Sequence, residues 1–450
     1  MAYEGKKIRI SAVLVLVALF LSCGAKRTPT TAAPNETLLF RFQSSPSGPI
    51  TFLSTQLNPV EEAGKMRNSI LKDFPGKVDF RPNDNSFLFS QIGSLLASDG
   101  SERILVGALH GDLAKLDGEH SLKPLGDVLG KLEDRKFLEN LAALSRLNGV
   151  DVGYVPWMQA TFLMVANKKA LPFLPTGAAL DSLTYDQLAA WARNIDEKTG
   201  QRSLGFPAGA KGLMHRFFQG YLYPSFTGST LLKFRTPEAQ AMWSYFADLW
   251  LYVHPGSLVY STMSEPLIAE DVWIGWDHTA RLLKVFEERP GDFVAFPAPK
   301  GPRGRGFMAV VSGLAIPSGV ADARDPALLI DYLTRPEIQL RTLAETGFFP
   351  VVALGEAMKL PPQLESLSRA VGLQSLSADA VTTLLPIGLG ERSGEFNNLY
   401  MLAFSQIVLE KRDPAATLDS IAAELQKIID AENAACWLPD VSQARPCKLE

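Results

Sequence analysis

Apolar and polar residues follow two rhythms along this chain, one of period two and one near 3.6, and their order predicts the architecture. Residues 38–42 (LLFRF) read as a buried strand, ended by the Ser/Pro/Gly cluster at 44–49. Val60, Ala63, Met66, Ile70 and Leu71 recur at helical spacing within 56–73, and Pro75-Gly76 stops them. Residues 78–81 form a second strand with Pro82-Asn83-Asp84 as its turn. Phe87, Phe89, Ile92, Leu95 and Leu96 mark a helix over 86–98, and residues 104–109 a third strand. Strand and helix alternate as in a parallel sheet with helices on both faces. Further along, strands are predicted at 163–166, 272–276 and 310–316. Helices are predicted at 184–194, 236–253, 326–346 (split at Pro336), 397–410 and 414–431. Residues 297–306, rich in Pro, Gly and basic side chains, read as a crossover or surface turn.

The first residues have a different pattern. Lys6, Lys7 and Arg9 precede a nearly unbroken apolar run over 10–21, too short to span a bilayer comfortably. Residues 1–22 are therefore expected to be a signal peptide. Cys23 follows directly, and its setting resembles a bacterial lipobox, although Phe20 stands where Leu is usual. The expectation is that Cys23 is lipidated and that residues 23–36 are a polar tether. That would place the protein on the outer face of the cytoplasmic membrane or in the periplasm or cell envelope. A secreted soluble protein and a transmembrane anchor are the alternatives. The 450-residue chain is too long for one core, so two domains are expected. Its formal net charge of −4 offers no basic face for nucleic acid.

With Cys23 assigned to the anchor, only Cys436 and Cys447 remain. An exported chain with a close leftover pair favours a disulfide, with two free thiols as the alternative. No cofactor or metal is expected. The chain lacks the HExxH, GxSxG and GxxxxGK[ST] patterns of zinc proteases, hydrolases and phosphate-binding loops. Residues 304–309 (GRGFMA) fit GxGxxA but lead into a strand and not a helix, which argues against a dinucleotide site.

The order of segments resembles the family 1 extracellular solute-binding proteins of bacterial ABC importers. The resemblance rests on residues 104–129 (ILVGALHGDLAKLDGEHSLKPLGDVL), on Tyr154-Val155-Pro156-Trp157 with 161–168 (TFLMVANK), on 312–319 (SGLAIPSG), on 334–339 (TRPEIQ) and on 346–350 (TGFFP). It implies a two-lobed α/β fold of the periplasmic-binding-protein type, each lobe a mostly parallel sheet flanked by helices, with a ligand cleft between them. The implied lobes are discontinuous: 37–154 with 308–370, and 158–305 with 375–450, hinged near 155–162, 305–311 and 370–375. The implied function is capture of a small solute, sugar or oligosaccharide favoured, by hinge closure and delivery to a permease, as a monomer and without catalysis. An exported adhesion or binding protein without a transport role is the second reading, and an exported α/β enzyme the third.

In such sheets ligands lie beyond the C-terminal ends of the strands. The candidate ligand residues of the first lobe are accordingly Ser44, Ser45, Asp84, His110 and Asp112, each of which can instead cap a helix or a turn. Trp157 either stacks on a sugar ring or packs the hinge. Trp276 and Asp277 end a strand where the family often presents a Trp. Arg216 would pair with an anionic group or stay solvated. Ser312 and Gly313 lie where backbone approaches the cleft. Trp191, Trp243, Trp250 and Trp273 read as core.

Overall fold

A computed structural model describes residues 45–57, 60–97, 100–147, 151–355, 358–442 and 445–450. Among the described residues ten strands appear in chain order: β1 (Ile50–Ser54), β2 (Val78–Pro82), β3 (Ile104–Leu109), β4 (Val155–Ala160), β5 (Phe162–Asn167), β6 (Leu204–Gly205), β7 (Ile274–His278), β8 (Phe293–Phe296), β9 (Arg305–Ala315) and β10 (Ala380–Leu384). They form two sheets. The first runs β10-β9-β3-β1-β2, with β4 also on β9, and the second runs β6-β7-β5-β8.

β1 lies parallel to both β2 and β3, which is the predicted strand–helix rhythm. Its position differs from expectation. Residues 38–42 lie outside the described residues, and the strand paired on both sides is Ile50–Ser54. Phe52 anchors it, with its ring 5.3 Å from Phe80 and 5.4 Å from Trp157. β9 is also longer than predicted. Residues 305–309, read as turn and strand start, are strand, and they pair in parallel with β10.

The chain passes between the sheets at the β4–β5 junction and again between β8 and β9. Only Thr161 separates β4, on the first sheet, from β5, on the second. The latter half of β9 pairs antiparallel with β3 and β4, while its first half reaches β10. The third passage comes earlier than expected. Helix Pro362–Ser375 packs on the second sheet, because its stripe of Leu364, Leu367 and Ala370 fills a core with Leu163, Val165, Phe293 and Ala295. The stretch 353–361 thus precedes a second-sheet helix, and residues 362–370 do not belong with the first sheet.

Helix ends follow their capping chemistry. Tyr185–Thr199 starts at a capping box of Thr184 and Gln187 and stops at Gly200, whose φ of 71° suits glycine. Asp413 caps Pro414–Ala431 by accepting from the Ala416 N–H. After that helix a disulfide joins Cys436 to Cys447. Inside its loop, buried Asp440 accepts from the backbone N–H of Thr230 (2.8 Å) and Leu231 (2.7 Å). The tail is thereby fixed to the loop at 229–232. No described helix is long and apolar enough to cross a membrane.

Candidate functional site

The parallel strands β1, β2 and β3 all end on one side, at Ser54, Pro82 and Leu109. Two helices begin there. Asn85–Leu96 follows β2, and His110–Gly118 follows β3 directly. Asn85 Nδ2 donates to Asp112 Oδ1 at 2.9 Å, which ties the two helix starts together. Asp112 is buried, and its Oδ2 has no hydrogen-bond partner. Burial pushes its carboxyl up to about 7, against the pull of the Arg216 charge and the Asn85 hydrogen bond. His110 Nδ1 lies 2.9 Å from the Tyr154 hydroxyl, and burial lowers its pKa to about 4, leaving a neutral ring.

The opposing wall comes from the second lobe. Helix Met214–Phe217 runs into a wider turn, Phe218–Leu222, and presents Arg216. Arg216 Nη1 donates to Gln219 Oε1 at 2.8 Å, and Gln219 Nε2 donates to Asn397 Oδ1 at 3.0 Å. Desolvation lowers the Arg216 pKa to about 10, so the group keeps its charge, and Asp112 is the first group opposing that shift. Among the described residues no carboxylate reaches ion-pair distance of Arg216. His215, next to it, and His278, near Arg281, are both held well below the usual imidazole range by burial and by neighbouring arginine charge. Arg281 donates to the Ser261 carbonyl at 2.7 Å. Its charge also acts on Glu62 of the first lobe, whose carboxyl is raised mainly by burial. One wall thus carries Asp112 and Glu62, and the other Arg216 and Arg281.

The lobes approach through backbone. Gly347, at φ 73°, has room for no side chain, since a Cβ there would stand 2.8 Å from Ala280 Cα. Gly111 likewise leaves space for the Pro386 carbonyl, 2.7 Å from where its Cβ would be.

Of the residues singled out from the sequence, the structure brings His110, Asp112 and Arg216 together. The others lie elsewhere or are occupied. Ser44 is outside the described residues. Ser45 is exposed and precedes β1, at the opposite end of the parallel strands from Asp112, so it is not on the rim. Asp84 is an exposed helix cap that accepts from the Phe87 N–H at 2.9 Å and the Ser86 hydroxyl at 2.8 Å. Trp157 is fully buried against Phe52, and its carbonyl is taken by Gln339 at 2.7 Å. Trp276 is also fully buried, stacked on Phe162 at 4.7 Å with Phe217 and Tyr221 at its edges, so no face is open to a sugar. Asp277 accepts from the backbone N–H of Met263 (2.8 Å) and His278 (2.7 Å), which commits it to the loop. Ser312 donates to the Met158 carbonyl across the β9–β4 pair. Gly313 makes room for the Tyr154 ring, which would lie 2.0 Å from a Cβ, and so acts on the cleft only through Tyr154 and His110. Sequence reasoning missed Asn85, Gln219 and Asn397. Asn85 follows the candidate Asp84 directly and Gln219 lies three residues from Arg216, but nothing local points to Asn397.

The model of a family described as bacterial extracellular solute-binding protein matches residues 90–340, more than half of the chain. The chain belongs to that family. Solved structures agree on the fold of this solute-binding protein. Maltose-bound MalE3 of T. maritima is 18% identical with a TM-score of 0.64, covering 85% of this chain and 100% of that one. UgpB of Mycobacterium tuberculosis, in complex with glycerophosphocholine, is 20% identical with a TM-score of 0.67, covering 86% and 100%. The sugar-binding MalE of Xanthomonas citri is 16% identical with a TM-score of 0.67, covering 84% and 97%. No curated protein matches the chain. The solute-binding protein therefore has the two-lobed periplasmic-binding-protein-like fold.

Proposed function

We propose that this solute-binding protein captures a hydroxylated solute, a carbohydrate, between its lobes and delivers it to the permease of an ABC importer without turning it over. The reading divides the chain into a first lobe ending near residue 352 and a second lobe that includes Pro362–Ser375 and the C-terminal helices. It also keeps residues 1–22 as an export signal and Cys23 as the lipid anchor that holds the receptor, as a monomer, near its permease. One observation carries the ligand assignment. Buried Asp112 offers a free carboxylate oxygen while Arg216, across the cleft, has no carboxylate partner among the described residues. A sugar hydroxyl satisfies both, since it donates to Oδ2 and accepts from the guanidinium. Recognition is polar here, because Trp157 and Trp276 are packed away. Two of the similar structures point the same way: their bound ligands, maltose and glycerophosphocholine, both carry hydroxyl groups.

The test is titration calorimetry with maltose, galactose, trehalose and glycerophosphocholine. At least one should bind, and Asp112→Ala should weaken it by about 30-fold, the loss of one charge-assisted hydrogen bond. No heat and no rise in melting temperature with any of the four would remove the carbohydrate assignment.

A further inference from the structure

Gln219 sits between Arg216 and the C-terminal helices, and its surroundings leave its amide one workable orientation. It is 1% exposed, so water cannot stand in for a missing partner. Its Nε2 donates to Asn397 Oδ1 at 3.0 Å, which turns Oε1 toward Arg216, where Nη1 donates to it at 2.8 Å. Reversing the amide would set NH₂ against guanidinium and leave donors on both sides unmet, a costly state in a buried place. The backbone of the same residue is held as well. Thr230 Oγ1 donates to the Gln219 carbonyl at 2.9 Å. The Thr230 N–H is in turn gripped by Asp440, inside the Cys436–Cys447 loop, and its carbonyl accepts from the Tyr400 hydroxyl at 3.2 Å. Asn397 and Tyr400 lie on one helix, Ser393–Phe404. That helix and the tail fall beyond residues 90–340, the part matched by the family model.

We infer that Asn397 and Gln219 are positioning residues for ligand capture, a relay through which the C-terminal segment aims the Arg216 guanidinium at the ligand opposite Asp112. The inference rests on the proposed cleft. The relay sets direction without touching the ligand: Asn397 needs only an acceptor oxygen, Gln219 passes the polarity on, and Arg216 keeps its remaining N–H groups for hydroxyls.

The test compares Asn397→Ala, which removes the acceptor, with Asn397→Asp, which keeps an oxygen in its place. ¹⁵N NMR of the arginine side chains in the full-length, ligand-free protein reads the relay directly, with Arg216→Lys to assign the signals. Wild type and Asn397→Asp should show resolved, slowly rotating Arg216 Nη groups, and Asn397→Ala a single averaged signal. For whichever of the four probe solutes binds wild type, Asn397→Ala should lose about five- to tenfold in affinity, with a lower melting temperature because the buried Gln219 amide loses its acceptor, and Asn397→Asp should stay within about twofold of wild type. Arg216 signals identical in wild type and Asn397→Ala would overturn the relay, and so would Asn397→Asp behaving like Asn397→Ala. If none of the probes binds wild type, the carbohydrate reading fails while the NMR comparison still decides the relay.

Discussion

Asp112 owes its chemistry to position. A carboxylate at the start of a helix usually ionises easily, yet this one is buried, holds one hydrogen bond from Asn85, and titrates at about 7. The unfolded value is near 4, so between about pH 4 and 7 the native state binds the extra proton. Its contribution to stability therefore falls as pH rises through that interval and is level above it. Ligand capture has the opposite sign, because a hydroxyl donates to the ionised form. Affinity for a bound saccharide should rise about tenfold from pH 6 to pH 8, measured by calorimetry, and Asp112→Asn should remove the dependence. His110 and His278 stay neutral across that range, with values of about 4 and 3, and Arg216 stays charged, so none of the three imitates the effect. Asp277 titrates at about 6, but its oxygens face the Met263 and His278 N–H groups and not the cleft.

Where elements cross between lobes, one buried threonine joins them. Thr161, the single residue between β4 and β5, donates to the Met308 carbonyl of β9 at 2.8 Å and lies 2.9 Å from the Tyr221 hydroxyl. Gln374, at the end of helix Pro362–Ser375, donates to Thr161 Oγ1 at 3.2 Å and to the Phe162 carbonyl at 3.0 Å. Its Oε1 accepts from the Ala298 N–H at 2.8 Å. The β4–β5 junction, β9, the stretch after β8 and the end of helix Pro362–Ser375 thus meet in one buried polar knot. Thr161→Val keeps the shape and strands these groups. It should cost about 1–3 kcal/mol, read as a lower urea midpoint at unchanged slope. A midpoint equal to wild type would show that the knot adds nothing to stability.

At the scale of the molecule, the C-terminal tail is a strap on the second lobe. Its disulfide closes a short loop, and Asp440 within that loop holds the backbone at 229–232. Replacing both cysteines by serine should lower stability by about 2–3 kcal/mol, seen as an earlier thermal transition that no longer responds to reductant. The strap also reaches the turn that carries Gln219, because Thr230 links Asp440 to the Gln219 carbonyl. A second whole-molecule feature is the side-chain-free approach of Gly347 to Ala280 and of Gly111 to the Pro386 carbonyl.

Local sequence determined whatever a few neighbouring residues can decide by themselves. The helix beginning near residue 184, the amphipathic Pro414–Ala431, the strand–helix rhythm over 78–109 and the place of His110 and Asp112 just beyond β3 were all legible, because propensity and periodicity act within a turn or two. Tertiary structure alone decided the rest. Residues 38–42 and 50–54 are both short apolar runs, and pairing with β2 and β3 is what identifies the latter as β1. Trp157 and Trp276 stand on strands covered on both faces, so alternation does not tell a ligand platform from core. Asn397 reaches Gln219 across 178 residues, and Asp112 meets the charge of Arg216 only because two lobes fold onto each other. Burial and electrostatic coupling are properties of a shared space, and a linear pattern does not state which residues will share it.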